Sequence, residues 1–349
     1  SPNIAPEPSI MKVLQESIMV PENYKYAINE LPEMKSAIHD WYKNRYNVEL
    51  TYDEMICLQG SQEALSTLFL AMCDPGDIVL VPDPYYPIFS DGPKIAGAKV
   101  EYMPLLQENN YVIQLDQIDE EIAKKAKMMI VSYPNNPTCA IAPDSFYEEL
   151  IQFAKKYDIV VLHDNAYSEL VFDGKVGKSF LSFEGAKEIG IELNSFSKTY
   201  GMAGARLGVC VGNKEVIDCY NTLKSNMDYG IFLPIQYAGI EALRHGGASI
   251  HSTCQAYQDR RDALCEAFDE VGWHINKSPA TMFAWARIPD QYEDSYAFTK
   301  DLMEKTGVVV TPGQAFGVHG TRYVRLALVQ DIEDIQKAAE RIKKSEIFK

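Results

Sequence analysis

The stretch ELNSFSKTYGMAGARLGVCVG, residues 192–212, contains one lysine among small and hydroxylated residues, with an arginine eight positions later. A surface lysine usually lies among other charged residues. Lys198 instead follows an apolar-alternating run, residues 191–196, which is typical of the end of a strand. It is therefore either a lysine in a loop without a particular task or a reactive amine held in a pocket.

Segments around this stretch alternate between helix-like and strand-like patterns from about residue 33 to residue 243. Three strand-like runs are short, continuously apolar and rich in β-branched residues: Ile78–Val81, Met128–Val131 and Ile159–Leu162. Strands that are buried on both faces, as in parallel sheets covered by helices, have this composition. Together with helical patterns over residues 63–73 and 145–157, they predict an α/β domain with a mostly parallel, helix-covered sheet.

The pattern changes after residue 247, where long helical patterns flank three strand-like segments and an amphipathic helix closes the chain. The segments are MFAWARI (282–288), VVVT (308–311) and RYVRLAL (322–328). This order predicts a smaller α+β domain, and 349 residues exceed the size at which one core usually keeps growing. We expect a large domain of residues 32–243, a small domain of residues 1–31 and 244–349, and further sequence before SPNIAPEPSI, which lacks an initiator methionine.

The composition argues against several functional classes. A formal net charge of -16 repels phosphate backbones and anionic membranes, so we expect neither nucleic-acid nor membrane binding. No window approaches the uninterrupted apolar length of a bilayer span. Seven scattered cysteines, an odd number without a CxxC pair, argue against a disulfide framework or a zinc site and favour a reducing cytoplasm.

Several polar residues follow the predicted strands, where ligands bind in open α/β sheets. Asp164 and Tyr167 follow IVVLH, YPNNPT (133–138) follows the strand at Met128, and GSQEAL (60–65) opens a helix whose N–H groups can meet an anion. Each has an ordinary structural alternative: a helix cap, a turn or an ion-pair partner. Their order and placement together, rather than any one of them, predict a functional site.

In this order the segments resemble the class I and II aminotransferases, which are fold-type I pyridoxal-phosphate enzymes, over essentially the whole chain. The strongest motif is Ser195-Phe196-Ser197-Lys198 with Arg206, and NNPT, HDNAY and YVRLAL support it. The resemblance implies a homodimeric aminotransferase with pyridoxal 5'-phosphate as its cofactor. Such an enzyme moves an amino group between an L-amino acid and a 2-oxo acid by a ping-pong mechanism.

The resemblance also implies a role for each site residue. Lys198 would form the Schiff base with the cofactor and move the substrate proton, since a lysine in a partly dehydrated, cation-rich site loses its own proton more easily. Asp164 would pair with the pyridinium nitrogen, and Tyr167 and Asn136 would hydrogen-bond the phenolic oxygen. The other implied contacts are with the phosphate (Gly60, Ser61, Gln62, Ser195, Ser197, Arg206), the ring (Tyr86) and the substrate carboxylate (Arg325, Asn136).

Three positions either depart from the family pattern or leave an alternative open. Tyr26 would reach the phosphate of the neighbouring subunit, with Tyr24 as the alternative. Cys139 follows NNPT where the family usually has glycine, and cysteine takes positive φ less readily. Gln62 stands where some relatives that use dicarboxylic amino acids have lysine, whereas KYDIVVLHDNAYSELVFDG and TLKSNMDYG are similar to the LL-diaminopimelate and aspartate aminotransferase branch. Donor and acceptor therefore stay open.

Two other functions stay open beside transamination. One is a C–S β-lyase that uses the same residues, which the formation of ammonia and a keto acid without an acceptor would indicate. The other is the ligand-sensing domain of an aminotransferase-like transcription regulator. Nothing in the sequence resembles a helix-turn-helix module, and the acidity argues against the regulator.

Overall fold

The computed structural model describes residues 2–348; Ser1 and Lys349, the outermost residues of the predicted small domain, lie outside this range. Its strands are β1 (Met55–Leu58), β2 (Ile78–Asp83), β3 (Lys99–Pro104), β4 (Ala126–Ser132), β5 (Val160–Asp164), β6 (Gly190–Ser195), β7 (Gly208–Gly212), β8 (Phe283–Arg287), β9 (Thr311–Pro312) and β10 (Tyr323–Ala327).

The α-helices are α1 (Pro8–Ile18), α2 (Pro32–Tyr46), α3 (Ser61–Met72), α4 (Ile88–Ile95), α5 (Glu120–Ala123), α6 (Asp144–Tyr157), α7 (Ala186–Ile189), α8 (Phe196–Thr199), α9 (Lys214–Lys224), α10 (Leu233–His245), α11 (Gly247–Asp269), α12 (Ser295–Thr306) and α13 (Ile332–Ser345). Short 3₁₀ helices are Pro21–Tyr24, Gln107–Asn109, Leu115–Gln117, Phe180–Ser182, Ala203–Ala205, Gly313–Phe316 and Val318–Gly320. None of these helices is both long enough and apolar enough to cross a bilayer.

One large sheet has the strand order β1-β7-β6-β5-β4-β2-β3. Neighbouring strands from β6 through β3 run parallel, whereas β7 runs antiparallel to both β6 and β1. The prediction of a mostly parallel, helix-covered sheet is confirmed. The three apolar runs predicted as strands are β2, β4 and β5, and the two predicted helices are α3, before β2, and α6, between β4 and β5.

Strand β4 shows why these runs lack an apolar–polar alternation. Met128 and Ile130 pack into the hydrophobic cluster on one face of the sheet, beside α3 and α9. Met129 and Val131 pack into the cluster on the other face, beside α2 and α6. Because helices cover both faces, every residue from Met128 to the end of the strand is buried.

A second, antiparallel sheet has the order β8-β10-β9. MFAWARI and RYVRLAL form β8 and β10, as predicted, but the prediction was wrong for most of VVVT because the strand is limited to Thr311–Pro312. This strand lies at the edge of the sheet, and the preceding Val309 is 72% exposed. Pro312 also lacks the N–H that would continue the ladder.

The N-terminal helix packs with the helices of the large sheet. Helix α1 lies on α10, and Ile10 belongs to the same hydrophobic cluster as α2. Asn3, by contrast, donates from Nδ2 to the carbonyl of Val329, just beyond β10. The division into a large domain of residues 32–243 and a small domain of residues 1–31 and 244–349 stays a prediction. Helix α1, which this division assigns to the small domain, packs on helices of the large domain.

The strand directions bring several segments to one edge of the large sheet. Strands β2, β4, β5 and β6 end there because they are parallel. Strand β1 ends there as well, and β7 begins there, because β7 is antiparallel to both β1 and β6. The segments that follow β1, β4, β5 and β6 and the segment that precedes β7 therefore lie next to one another, as ligand-binding loops of open α/β sheets do.

Candidate active site

A cavity of about 460 Å³ opens at this edge of the large sheet, against the small sheet. It is lined by all the predicted site residues except Gly60 and Tyr26: Ser61, Gln62, Tyr86, Asn136, Asp164, Tyr167, Ser195, Ser197, Lys198, Arg206 and Arg325. These side chains come from the segments after β1, β2, β4, β5 and β6, from the segment before β7, and from β10. The fold thus brings together residues that are far apart in sequence.

Lys198 lies on α8, a single helical turn that begins directly after β6. Ser195 caps this turn, since its Oγ accepts a hydrogen bond from the backbone N–H of Ser197 at 3.2 Å. The N–H of Ser195 in turn donates to Oδ1 of Asn194 at 2.8 Å. The strand end and the cap together fix the direction in which Lys198 leaves the backbone and enters the cavity.

The surroundings of Lys198 favour its neutral form. Burial lowers the pKa of its ammonium, and the charges of Arg206 and Arg325 lower it further, whereas Asp164 opposes them. An unperturbed lysine has a pKa of about 10.4 and is almost fully protonated at neutral pH. The lowered pKa leaves a larger share of the amine unprotonated, as a nucleophile requires.

Asp164 is the last residue of β5 and is 6% exposed. Burial raises the pKa of its carboxyl to about 6, although the charge of His163, the N–H of Ala166 and Lys198 favour the ionised form. Its Oδ1 is buried and has no hydrogen-bond partner among the described residues. An unsatisfied buried oxygen is costly, so the position fits a ligand that brings an N–H donor, such as a protonated ring nitrogen.

The turn between β1 and α3 forms a compact site for an anion. Gly60 has a φ of 75°, and the guanidinium of Arg206 occupies the space that a Cβ there would need. Gly208 likewise leaves room for the backbone N–H of Ser61. Arg206 has a φ of 54° and donates from Nη1 to the carbonyl of Ala203 at 2.9 Å. The first N–H groups of α3 have no acceptor within the helix, so they and the arginine charge fit a phosphate.

Arg325 extends from the central strand of the small sheet into the cavity. Its Nη1 donates to Oδ1 of Asn136 at 2.8 Å, and its Cζ lies 4.2 Å and 4.5 Å from the ring centroids of Phe283 and Phe316. Burial lowers the pKa of the guanidinium, and its Nε is buried without a partner in the described part of the chain. Rings and an amide surround the cation without neutralising it, so it fits a ligand carboxylate.

Two tyrosines form further walls of the cavity. The hydroxyl of Tyr86 donates to Oε1 of Gln62 at 2.8 Å, and Tyr167 lies edge-on to Phe283 with 6.0 Å between ring centroids. Burial raises the pKa of both tyrosine hydroxyls. Both therefore remain protonated at neutral pH and can donate hydrogen bonds.

Tyr26 and Tyr24 do not line the cavity of their own chain. Tyr26 is 75% exposed and lies edge-on to Tyr229, with 5.0 Å between ring centroids. Tyr24 is also exposed and packs in the same manner on Phe232, at 5.4 Å. Both rings are thus at the surface, where the implied contact with a neighbouring subunit requires them to be.

Cys139 adopts the left-handed backbone conformation, with a φ of 63°. Its thiol donates to the carbonyl of Phe283 at 3.2 Å, and its N–H donates to the carbonyl of Asn135 at 2.9 Å. Burial raises the pKa of the thiol to about 12, so the donor stays protonated. These bonds hold cysteine in a conformation that favours glycine, and the turn still presents Asn136 to Arg325.

Sequence reasoning missed most of the apolar wall of the cavity. The missed lining residues are Pro2, Leu65, Ala166, Met282, Phe283, Thr311 and Ala327. MFAWARI was recognised only as a strand, whereas RYVRLAL was also assigned Arg325. Pairing them would have revealed Phe283, because the antiparallel register sets it opposite Ala327, two residues from Arg325 on the same strand.

A family profile, a curated relative and solved structures each match nearly the whole length of this chain. The sequence profile described as aminotransferase class I and II matches residues 3–342. An LL-diaminopimelate aminotransferase of Halothermothrix orenii is 46% identical over 97% of this chain and 87% of the relative. The structure of substrate-bound BacF from Bacillus subtilis has a TM-score of 0.96 and 37% identity, and it covers 99% of this chain and 88% of that one. An aminotransferase from Staphylococcus aureus has a TM-score of 0.95 and 32% identity, covering 100% and 93%.

Proposed function

This chain belongs to the class I and II aminotransferases, and we propose that its transamination depends on pyridoxal phosphate held in the cavity around Lys198. The observation that carries the proposal is Asp164, which lines the same cavity as a lysine of lowered pKa and whose buried Oδ1 has no partner among the described residues. The family favours an exchange between an amino acid and a 2-oxo acid over the β-lyase and the transcription regulator.

Four residues would hold the cofactor ring. Pyridoxal phosphate supplies an aldehyde that captures amines and a ring that accepts electrons. Asp164 would accept a hydrogen bond from the ring nitrogen, and it is ionised above a pH of about 6. Tyr167 and Asn136 would donate to the phenolic oxygen, and Tyr86 would support the ring. The carboxylate charge keeps the ring nitrogen protonated, which strengthens the ring as an electron acceptor.

The anion site beside α3 would hold the phosphate. Backbone N–H groups of the helix terminus and the Arg206 guanidinium supply positive partial and full charges. The Ser195 hydroxyl accepts from Ser197 N–H and so keeps its own proton available for donation. The residues that would hold the phosphate are Gly60, Ser61, Gln62, Ser195, Ser197 and Arg206.

Lys198 would have two roles at Nζ. Because its pKa is lowered, the amine can attach to the cofactor near neutral pH. When a substrate amine displaces it, the same nitrogen is free to remove the proton from the substrate α-carbon and to return it. Asp164, with a pKa of about 6, is mostly ionised at neutral pH, so Lys198 would be the group that moves the proton.

Arg325 and Asn136 would bind the substrate α-carboxylate. The guanidinium forms a bond to the amide oxygen, which orients both groups before a ligand arrives. For the donor, 46% identity to an LL-diaminopimelate aminotransferase supports LL-diaminopimelate as the first candidate. The acceptor would then be a 2-oxo acid that receives the amino group in the second half of the cycle.

The same proposal includes a homodimer in the cytoplasm. Tyr24, Tyr26, Ile28 and Tyr229 form an exposed apolar surface, which supports contact with a second copy and a shared phosphate site. The two separate sheets support the division into a large domain of residues 32–243 and a small domain of residues 1–31 and 244–349. The scattered unpaired cysteines support a reducing compartment.

The visible absorbance of the purified protein with added pyridoxal phosphate tests the proposal. LL-diaminopimelate and each common amino acid are added in turn, followed by a 2-oxo acid. Bleaching by one amino acid and recovery with the oxo acid would support transamination and identify the donor. A band that persists while ammonia accumulates would indicate the lyase, and the absence of any band would contradict the role of Lys198.

A further inference from the structure

A buried carboxylate of the large sheet is bonded by one residue of the small domain's loop. Asp83, the last residue of β2, is 2% exposed. Its Oδ2 lies 3.0 Å from Nδ1 of His319, and its Oδ1 accepts a bond from the backbone N–H of His319 at 3.4 Å. Within residues 2–348, both oxygens of this buried carboxylate thus bond to the same partner residue, which itself remains partly exposed.

The loop that carries His319 is attached to the end of β2 at two further points. The N–H of Tyr85 donates to the carbonyl of Phe316 at 2.7 Å. Gly317 has a φ of 120°, and a Cβ there would overlap the carboxylate of Asp83, so the backbone lies directly against it. Residues 316–319 are therefore held by the segment that leads from β2 to Tyr86.

This loop reaches the cavity through Phe316. The ring of Phe316 lies 4.5 Å from Cζ of Arg325, on a guanidinium that also contacts Phe283. Phe283 belongs to a paired strand, whereas Phe316 lies in the 3₁₀ helix just before Gly317. The second ring also packs edge-on against Trp285 of β8, with 6.0 Å between ring centroids. Its own backbone, however, belongs to the attached loop and not to a strand, so its position depends on that attachment as well.

We propose that Asp83 and His319 form a positioning pair, which holds Phe316 against Arg325 and thereby orients the guanidinium for the substrate carboxylate. The inference rests on the proposed role of Arg325. Without the imidazole of His319 the carboxylate of Asp83 keeps only the longer bond from the backbone N–H, at 3.4 Å, and loses its side-chain partner. The loop then no longer compensates this buried charge. The ring then leaves Arg325, and the guanidinium samples orientations that do not meet the carboxylate.

Two small probes isolate the carboxylate site from the remainder of the reaction. Aminooxyacetate and O-methylhydroxylamine both capture the cofactor's aldehyde through the same aminooxy nitrogen, but only aminooxyacetate has a carboxylate. The ratio of their second-order capture rates, followed by visible absorbance in the cofactor-loaded protein, therefore reports on the carboxylate site that Arg325 would form with Asn136. This readout does not require turnover or a known donor.

The variants compare His319 with a matched pair on the surface. His319→Ala removes the bond, and His319→Asn restores a donor, since its amide nitrogen occupies the position of Nδ1. His274→Ala is the control, because His274 also bonds an aspartate through Nδ1, to Asp269 at 2.8 Å, but both side chains are exposed. Thermal unfolding of the cofactor-free proteins is measured alongside.

We expect His319→Ala to lower the aminooxyacetate rate by roughly tenfold and to leave the O-methylhydroxylamine rate unchanged. His319→Asn should recover most of the ratio, and His274→Ala should keep all of it. An unchanged ratio in His319→Ala, with or without a lower unfolding midpoint, would overturn the positioning role. If His319→Ala does not fold, Asp83→Asn is measured instead. An unchanged ratio of capture rates in that variant would also overturn the positioning role.

The wild-type protein separates this inference from the function on which it rests. If the wild type captures both probes equally well, Arg325 does not bind carboxylates and the proposed function fails at that residue. If the wild type prefers aminooxyacetate and the His319 variants keep that preference, only the positioning pair is refuted.

Discussion

Arg325 and Asn136 are joined by a hydrogen bond of 2.8 Å, from Nη1 to Oδ1, which connects the central strand of the small sheet to the turn after β4. The bond fixes the relative positions of two groups that we propose to meet the same substrate. In this proposal, substrate recognition depends on contact between the two sheets, because each sheet alone would supply only part of the carboxylate site.

Replacing Arg325 by lysine tests this arrangement. Lysine keeps the charge but loses the planar fork and the stacking on Phe283 and Phe316. We expect KM for both the amino acid and the oxo acid to rise by about ten- to a hundredfold, with a smaller effect on kcat. Steady-state kinetics measure the change, with the exposed Arg287→Lys on the neighbouring strand as the control. Equal effects of the two variants would count against Arg325.

Replacing Lys198 by alanine should abolish covalent attachment of the cofactor and transamination. The reason is that Nζ is the amine of lowered pKa in the cavity. Borohydride reduction of the wild-type protein with cofactor, followed by peptide mass spectrometry, should label the peptide that contains Lys198. The exposed Lys178→Ala serves as control and should retain the label. A label on any other lysine would refute the assignment.

Replacing Asp164 by asparagine should stabilise the cofactor-free protein while weakening the cofactor complex. The folded pKa of about 6 lies above the unfolded value of 3.8, so the folded state binds the proton more tightly. The wild type therefore loses stability relative to the variant as the pH rises from about 4 to 6, by up to about 3 kcal/mol at neutral pH. Denaturant unfolding of both proteins at several pH values measures this difference. A constant difference from pH 4 to 8 would contradict it.

Replacing Gly60 by alanine should weaken the hold on the phosphate. A Cβ at this position overlaps the guanidinium of Arg206, and the φ of 75° adds backbone strain. We expect cofactor affinity to fall by about tenfold and stability by about 1–3 kcal/mol. Gly76→Ala is the control, since its φ is 96° but nothing lies within 4 Å of an added Cβ. Titration with the cofactor should show weaker binding to Gly60→Ala than to Gly76→Ala. Equal cofactor affinities of the two variants would contradict the proposed role of the Gly60–Arg206 contact in binding the phosphate.

Much of the fold follows from local patterns that are visible in the sequence. Burial on both faces gives β4 its continuous apolar run, and a strand between two helix layers has few other compositions available. The positions of Asp164 and Lys198 follow as well, because both come directly after such strands, at the edge where ligands bind.

The contacts that the sequence did not reveal depend on how distant segments pair and pack. Phe283 could be recognised as a strand residue, but its place beside Arg325 depends on how β8 pairs with β10. The bond between Asp83 and His319 joins the end of β2 to the loop between β9 and β10, and no local sequence pattern specifies how these two segments meet. VVVT has the composition of a strand, yet most of it lies outside the ladder because edge position and Pro312 override propensity.

The pairing of β1 with β7 also determines when a growing chain can acquire its partners. Gly60 leaves the ribosome long before Arg206. The turn between β1 and α3 can therefore contact Arg206 only after β7 has been synthesised and has paired with β1. Asp164 and Lys198 are already present by then, whereas Arg325 belongs to β10, which follows all the other strands of residues 2–348. We therefore expect a nascent chain to become competent for the cofactor before it can recognise any substrate.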